Sequence, residues 1–215
     1  MTRLARTLIA TTALTILPLS LAYAGGSSES NILNGQVDFH TAQSTLNVDT
    51  SNVAGNVAQQ SVAGGNAVDI TTMNNTEVTN NQYVSSVDVS SHMNANVTNT
   101  GGTVSLSSQA VCNSAGVSMD PTSTNVYSNQ ECNAVDPSST LNASVYNAGN
   151  DVSLASAAIG NSFEEDTNAK HGAVQNYQIN NSNVSSAVNG SVVNVNGNVT
   201  ATSAAIGNTA QIVHY

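Results

Sequence analysis

The sequence predicts an all-β solenoid, built from copies of one strand–turn–strand unit. Three observations carry this expectation: a 25-residue pattern that returns four times in fixed register, period-2 alternation inside each copy, and a composition rich in small and β-branched residues with only 7% charge.

The pattern V-x-x-x-S-x-A-x-G-N begins at Val57, Val152 and Val199, and again at Val104 with Cys112 in place of Gly. The Val positions lie 47, 48 and 47 residues apart. Upstream, Leu46, Met93, Leu141 and Val188 hold one register position, and Ser44, Ser91, Ser139 and Ser186 another. The cores are 42–66, 89–113, 137–161 and 184–208, with spacers of 22, 23 and 22 residues.

Within the last core, Ser186, Val188, Gly190, Val192 and Asn194 alternate onto one face. After a turn, Val199, Ala201, Ser203, Ala205 and Gly207 do the same. The spacers alternate too, at Val68, Ile70 and Thr72 and at Val78, Asn80 and Gln82. Each spacer is expected to form a strand–turn–strand of its own; the alternative is four rungs with the spacers as long loops, which are uncommon in compact domains. On the first reading one period makes two rungs, and residues 42–215 make about seven, a rod on the order of 30 Å long.

Stacking places repeat-equivalent residues above one another, so invariant Asn can form amide ladders. Three sets are candidates: Asn66, Asn113, Asn161 and Asn208; Asn47, Asn94, Asn142 and Asn189; and Asn52, Asn99, Asn147 and Asn194. The alternative role for these Asn is in turns, where they tolerate positive φ.

Residues 1–24 read as a secretory signal: Arg3 and Arg6, an apolar run from Leu8 to Leu21, and Ala22-Tyr23-Ala24 before Gly25. Residues 25–41 read as an N-terminal leader and 42–215 as the solenoid. Beyond residue 24 stand all 13 acids and one fixed cation, Lys170, giving a net charge of about −12. Such a chain cannot release counterions from a phosphate backbone, which excludes nucleic acid. In the oxidising compartment that the signal implies, Cys112 and Cys132 are expected to form a disulfide that stabilises by roughly 3 kcal/mol.

No enzyme constellation is present. His40, His92, His171 and His214 are scattered, and no zincin, nucleophile-elbow or phosphate-loop motif occurs. No catalytic residue, cofactor or metal is expected. Glu164, Glu165 and Asp166 are read as a solvated loop, or as a weak divalent-cation site.

The Ser-x-Ala-x-Gly-Asn segments at 61–66, 156–161 and 203–208 resemble curlin-type repeats, the strand–turn–strand units of amyloid surface fibres. Gly207-Asn208-Thr209-Ala210-Gln211-Ile212 is similar to that family's Gly-x-x-Asn-x-Ala style of motif. The regularly spaced Gln of curlin units is not expected in this chain, whose period is about twice theirs. The signal and the Ala-Ile-Gly-Asn phrases also resemble holdfast-anchor proteins, which tether an adhesive polysaccharide to a cell. These resemblances imply an exported, non-enzymatic protein of the cell's outer surface, acting as fibre subunit or anchor. The implied partners are further copies or other surface subunits, an extracellular polysaccharide, and outer-membrane secretion machinery. Two other readings compete: an ice- or glycan-binding solenoid, which needs a repeated T-x-T row that only Thr200 and Thr202 supply, and a polysaccharide-active enzyme, which needs acids gathered at one rung.

Overall fold

The computed structural model describes residues 30–72, 76–119, 125–167 and 172–214. Ten strands account for nearly all of them: β1 (Ser30–Asp38), β2 (Ala42–Val53), β3 (Val57–Thr72), β4 (Thr76–Thr100), β5 (Val104–Met119), β6 (Val126–Ala148), β7 (Val152–Thr167), β8 (Val174–Asn180), β9 (Ser185–Val195) and β10 (Val199–His214). The expected signal, residues 1–24, lies outside the described residues, as do Lys170 and His171. Residues 30–38, ahead of the first core, form β1.

Every strand pairing is parallel and joins a residue to its repeat equivalent. One sheet runs β1-β4-β6-β8, with β2 also on β4 and β9 on β6; the other runs β3-β5-β7-β10. The two sheets face each other, and the chain passes from one to the other in each period. The all-β solenoid is therefore present, but each period is one rung and not two. Val104 pairs with Val152, 48 residues on, with no strand between. The spacers do not form rungs of their own: their first residues prolong β3, β5 and β7, and their last residues open β4, β6 and β8. Four rungs span on the order of 14 Å from first strand to last, at the usual spacing of ~4.8 Å.

A slip in phase explains the difference. In β5 the buried positions are 104, 106, 108, 110 and 112, then 113, 115, 117 and 119. Two neighbours, Cys112 and Asn113, are both buried, so the strand bends without turning back. The same slip falls at Gly160-Asn161 in β7. At this place the register skips one residue. Glycine suits it because the next rung's carbonyl crowds in: a Cβ on Gly65 would lie 2.7 Å from the Cys112 carbonyl oxygen.

The interior is banded. A large apolar cluster around Met93, Val97, Leu106, Leu141 and Leu154 fills one end of the sandwich. A small central one holds Val84, Val89, Ala110, Cys112 and Cys132. A third at the far end holds Ile70, Val78, Val117, Met119, Val126 and Phe163. Burying each large side chain contributes roughly 1.5–3 kcal/mol. Between the first and second bands runs a zigzag of serine hydroxyls that links the sheets. Ser44–Ser61 (2.9 Å), Ser61–Ser91 (3.0 Å), Ser91–Ser108 (2.8 Å), Ser108–Ser139 (3.0 Å), Ser139–Ser156 (2.9 Å), Ser156–Ser186 (3.0 Å) and Ser186–Ser203 (3.0 Å) form one chain of bonds. A hydroxyl can both donate and accept, so the zigzag crosses every rung unbroken.

The turns between sheets stack as closely as the strands. A Cβ on Gly101 would lie 2.5 Å from the Ala54 carbonyl oxygen, whereas one on Gly55 would meet nothing within 4 Å. Gly101→Ala is therefore expected to cost about 1–3 kcal/mol through overpacking, while Gly55→Ala is near neutral. Thermal unfolding of the two variants beside the parent chain checks this; equal melting temperatures would contradict the close rung contact.

Candidate functional site

Each Asn set occupies a column, but the three columns differ in what they do. The first lies inside. Asn66 Nδ2 donates to Asn113 Oδ1 (3.0 Å), Asn113 to Asn161 (2.8 Å), and Asn161 to Asn208 (2.8 Å). The same amide nitrogens donate across the sandwich to the carbonyls of Tyr83, Glu131 and Ile179. Both N–H groups are thus used, one along the stack and one between sheets. Removing such a side chain would leave buried carbonyls unpaired, which costs about 1–3 kcal/mol each.

The second column lies on the outer face of the sheet that holds β2, β4, β6 and β9. Asn94 Nδ2 donates to Asn47 Oδ1 (2.6 Å), Asn142 to Asn94 (2.8 Å), and Asn189 to Asn142 (2.9 Å). The third column, Asn52, Asn99, Asn147 and Asn194, is also bonded rung to rung, at 3.1, 2.9 and 2.8 Å. Its residues have φ of 57°, 55°, 57° and 58°. Ladder and turn are both served here, because Asn tolerates the left-handed region that the strand end adopts.

A further ladder went unread in the sequence. Gln36, Gln82, Gln130 and Gln178 stack inside, each Nε2 donating to the previous Oε1 at 2.8 Å. The expectation of no regularly spaced Gln is thereby corrected. Gln36 lies in the leader and the other three in the spacers, 46, 48 and 48 apart, and that near-period was the signal available.

Cys112 and Cys132 are disulfide-bonded, with Cα atoms 6.0 Å apart, joining β5 to β6 across the sandwich. Glu164, Glu165 and Asp166 do not form a solvated loop: they lie in β7. The phase slip at Gly160-Asn161 turns Glu165 inward, where it is fully buried between Val117 and Ile212 of the adjoining strands. Neither carboxylate oxygen has a hydrogen-bond partner. Burial pushes its carboxyl above the usual range, partly offset by His214 and reinforced by Asp166. Among the described residues, no group of three His, Cys, Asp or Glu side chains could hold a metal ion, and no helix is long and apolar enough to cross a membrane. Of the histidines, His92 stands on the outer face and His40 caps onto Asp38 through its backbone N–H (2.9 Å).

Two surfaces among the described residues are open to interaction. At the C-terminal end, the inward columns stop uncovered. Val199 and Ile212, equivalents of the buried Val152 and Glu165, are each 52% exposed. Along the outer face runs a groove of about 730 Å³, crossing all four rungs. One wall is the Asn47 ladder; the other is Asp49, Asn96, Ser144 and Ser191; the floor is Val48, Ala95, Ala143 and Gly190.

Residues 25–215 match the model of a family described as HfaD: Holdfast attachment protein D. No curated protein and no solved structure matches the chain.

The buried Glu165 makes stability depend on pH. An acid whose folded pKa lies above its unfolded value contributes stability that is full below the unfolded pKa and is lost as pH rises through the folded one. Melting of the parent chain should therefore fall from pH 4 towards pH 7 by more than melting of Glu165→Gln. Parallel profiles for the two proteins would contradict the inward placement.

Proposed function

This chain belongs to the holdfast attachment protein D family, and from that premise we propose that it is an exported structural subunit that stacks end to end on the cell surface and there holds the adhesive. Its role is non-catalytic. Its partners are further copies of itself, an extracellular polysaccharide, and the outer-membrane machinery that exports it.

The observation that carries this reading is the match between the two ends of the solenoid. The last strands, β8, β9 and β10, present the same columns as the first, β1, β2 and β3. A second copy set on the C-terminal end would place its Val57 above Val199. Asn208 could then donate to its Asn66 as Asn161 donates to Asn208. The Asn47 ladder runs in the opposite sense, so its Asn47 could donate to Asn189 below. Parallel edges that are unpaired among the described residues and carry matching side-chain columns are templates for strand addition, and a head-to-tail contact that does not close gives a filament.

Negative-stain micrographs and fibre diffraction of residues 25–215 test this. Filaments with a reflection near ~4.8 Å along the axis are the expected result. Val199→Asp with Ile212→Asp places charge on the exposed end and should abolish filaments while leaving the β circular dichroism of the monomer intact. A parent chain that stays monomeric on long incubation, or a variant that polymerises as readily, would contradict end-to-end stacking.

A further inference from the structure

The outer groove is shallow and open and runs along the solenoid axis. On that face of β2, β4, β6 and β9, the outward columns vary: Thr45, His92, Thr140 and Ala187 form one, and Ser51, Thr98, Tyr146 and Val193 another. The Asn47 column is the same residue in all four rungs, as is the Asn52 column at the strand ends, and of these two it is the Asn47 column that walls the groove. Asn is disfavoured in strands, and an exposed position could carry Thr at lower cost. The rung-to-rung ladder is one reason for Asn here, as it is in the other two Asn columns.

The ladder leaves capacity over. In Asn94 and Asn142, one N–H and one Oδ1 lone pair serve the neighbouring rungs; a primary amide has a second of each. Every rung thus offers one donor and one acceptor, spaced about 4.8 Å apart, close to the length of one pyranose unit in an extended chain. The opposite wall adds the hydroxyls of Ser144 and Ser191 and the amide of Asn96. Asp49 is the one carboxylate in the groove, no cation lines it, and the protein is strongly acidic. Anionic polymers are repelled and a neutral one is not.

We propose that this groove binds a neutral, extended β-linked polysaccharide, laid across the strands with about one sugar per rung. The inference rests on the holdfast-associated reading above and deepens it by naming the site. Stacked copies would align their grooves into one continuous track, so that many weak contacts add along the polymer.

The test is titration of freshly purified, unpolymerised residues 25–215 with cellotetraose and chitotetraose, followed by NMR of the Asn side-chain amides. Maltotetraose, which coils, and polygalacturonate, which is anionic, serve as controls. The expected result is binding by at least one β-linked tetraose, with the Asn94 and Asn142 amides shifted and neither control bound. Asn94→Thr with Asn142→Thr should weaken binding at least tenfold and leave the β circular dichroism intact, with melting lowered only as far as loss of the exposed ladder bonds requires. Failure of both tetraoses to bind, shifts confined to other surfaces, or undiminished binding by the double variant would each overturn the proposal. Micrographs of the same preparation after incubation separate this from the stacking reading: groove binding without filaments upholds the site and removes only the polymer.

Discussion

A side-chain amide can bond to its own copy; a carboxylate or an ammonium cannot. That difference governs a parallel stack in which every residue rests on its repeat equivalent. Columns of Asn, Gln and Ser bond continuously through this solenoid. Charges are kept from stacking: within the paired register, no carboxylate of the described residues sits on another. Asp69 rests on Gly116 and Glu164 on Gly116 and Gln211. The low charge noticed in the composition is a consequence of the architecture.

The same constraint shapes the interior. Polar columns run between the apolar bands of the interior, and buried polar groups need hydrogen-bond partners. The serine zigzag and the Asn66 column meet this need by bonding both along the stack and across it. Glu165 is an exception, a carboxylate in an inward column with neither oxygen bonded; Thr100 Oγ1 is another buried polar atom without a bond. Glu165 lies beneath β10, the last strand, where local opening involves the fewest neighbours.

Much of this was legible because sequence register and spatial register coincide in a parallel solenoid. Identical spacing of Asn47, Asn94, Asn142 and Asn189 placed them in one column before any coordinates. What escaped the sequence traces to one local event, the phase slip at the Gly/Cys–Asn pair. Counting alternation through that pair makes the strand seem to end, which doubled the number of rungs. The same miscount hid the inward turn of Glu165, which falls on the other parity from Ala158. The Gln column was missed because its first interval is 46 where the cores keep 47 and 48. The groove needed the structure, since its depth depends on how the backbone of Ala95 and Ala143 sits between two outward columns.

Surface attachment asks for a rigid element that can be extended and that presents the same chemistry at each step. One rung per period supplies both, and the whole account depends on it. The direct measurement is the network of NMR contacts between repeat-equivalent residues in isotopically labelled protein. One rung per period predicts nuclear Overhauser contacts between the side-chain amides of Asn94 and Asn142, about 4.8 Å apart along the stack. Absence of those contacts, with contacts appearing between residues about half a period apart, would contradict it.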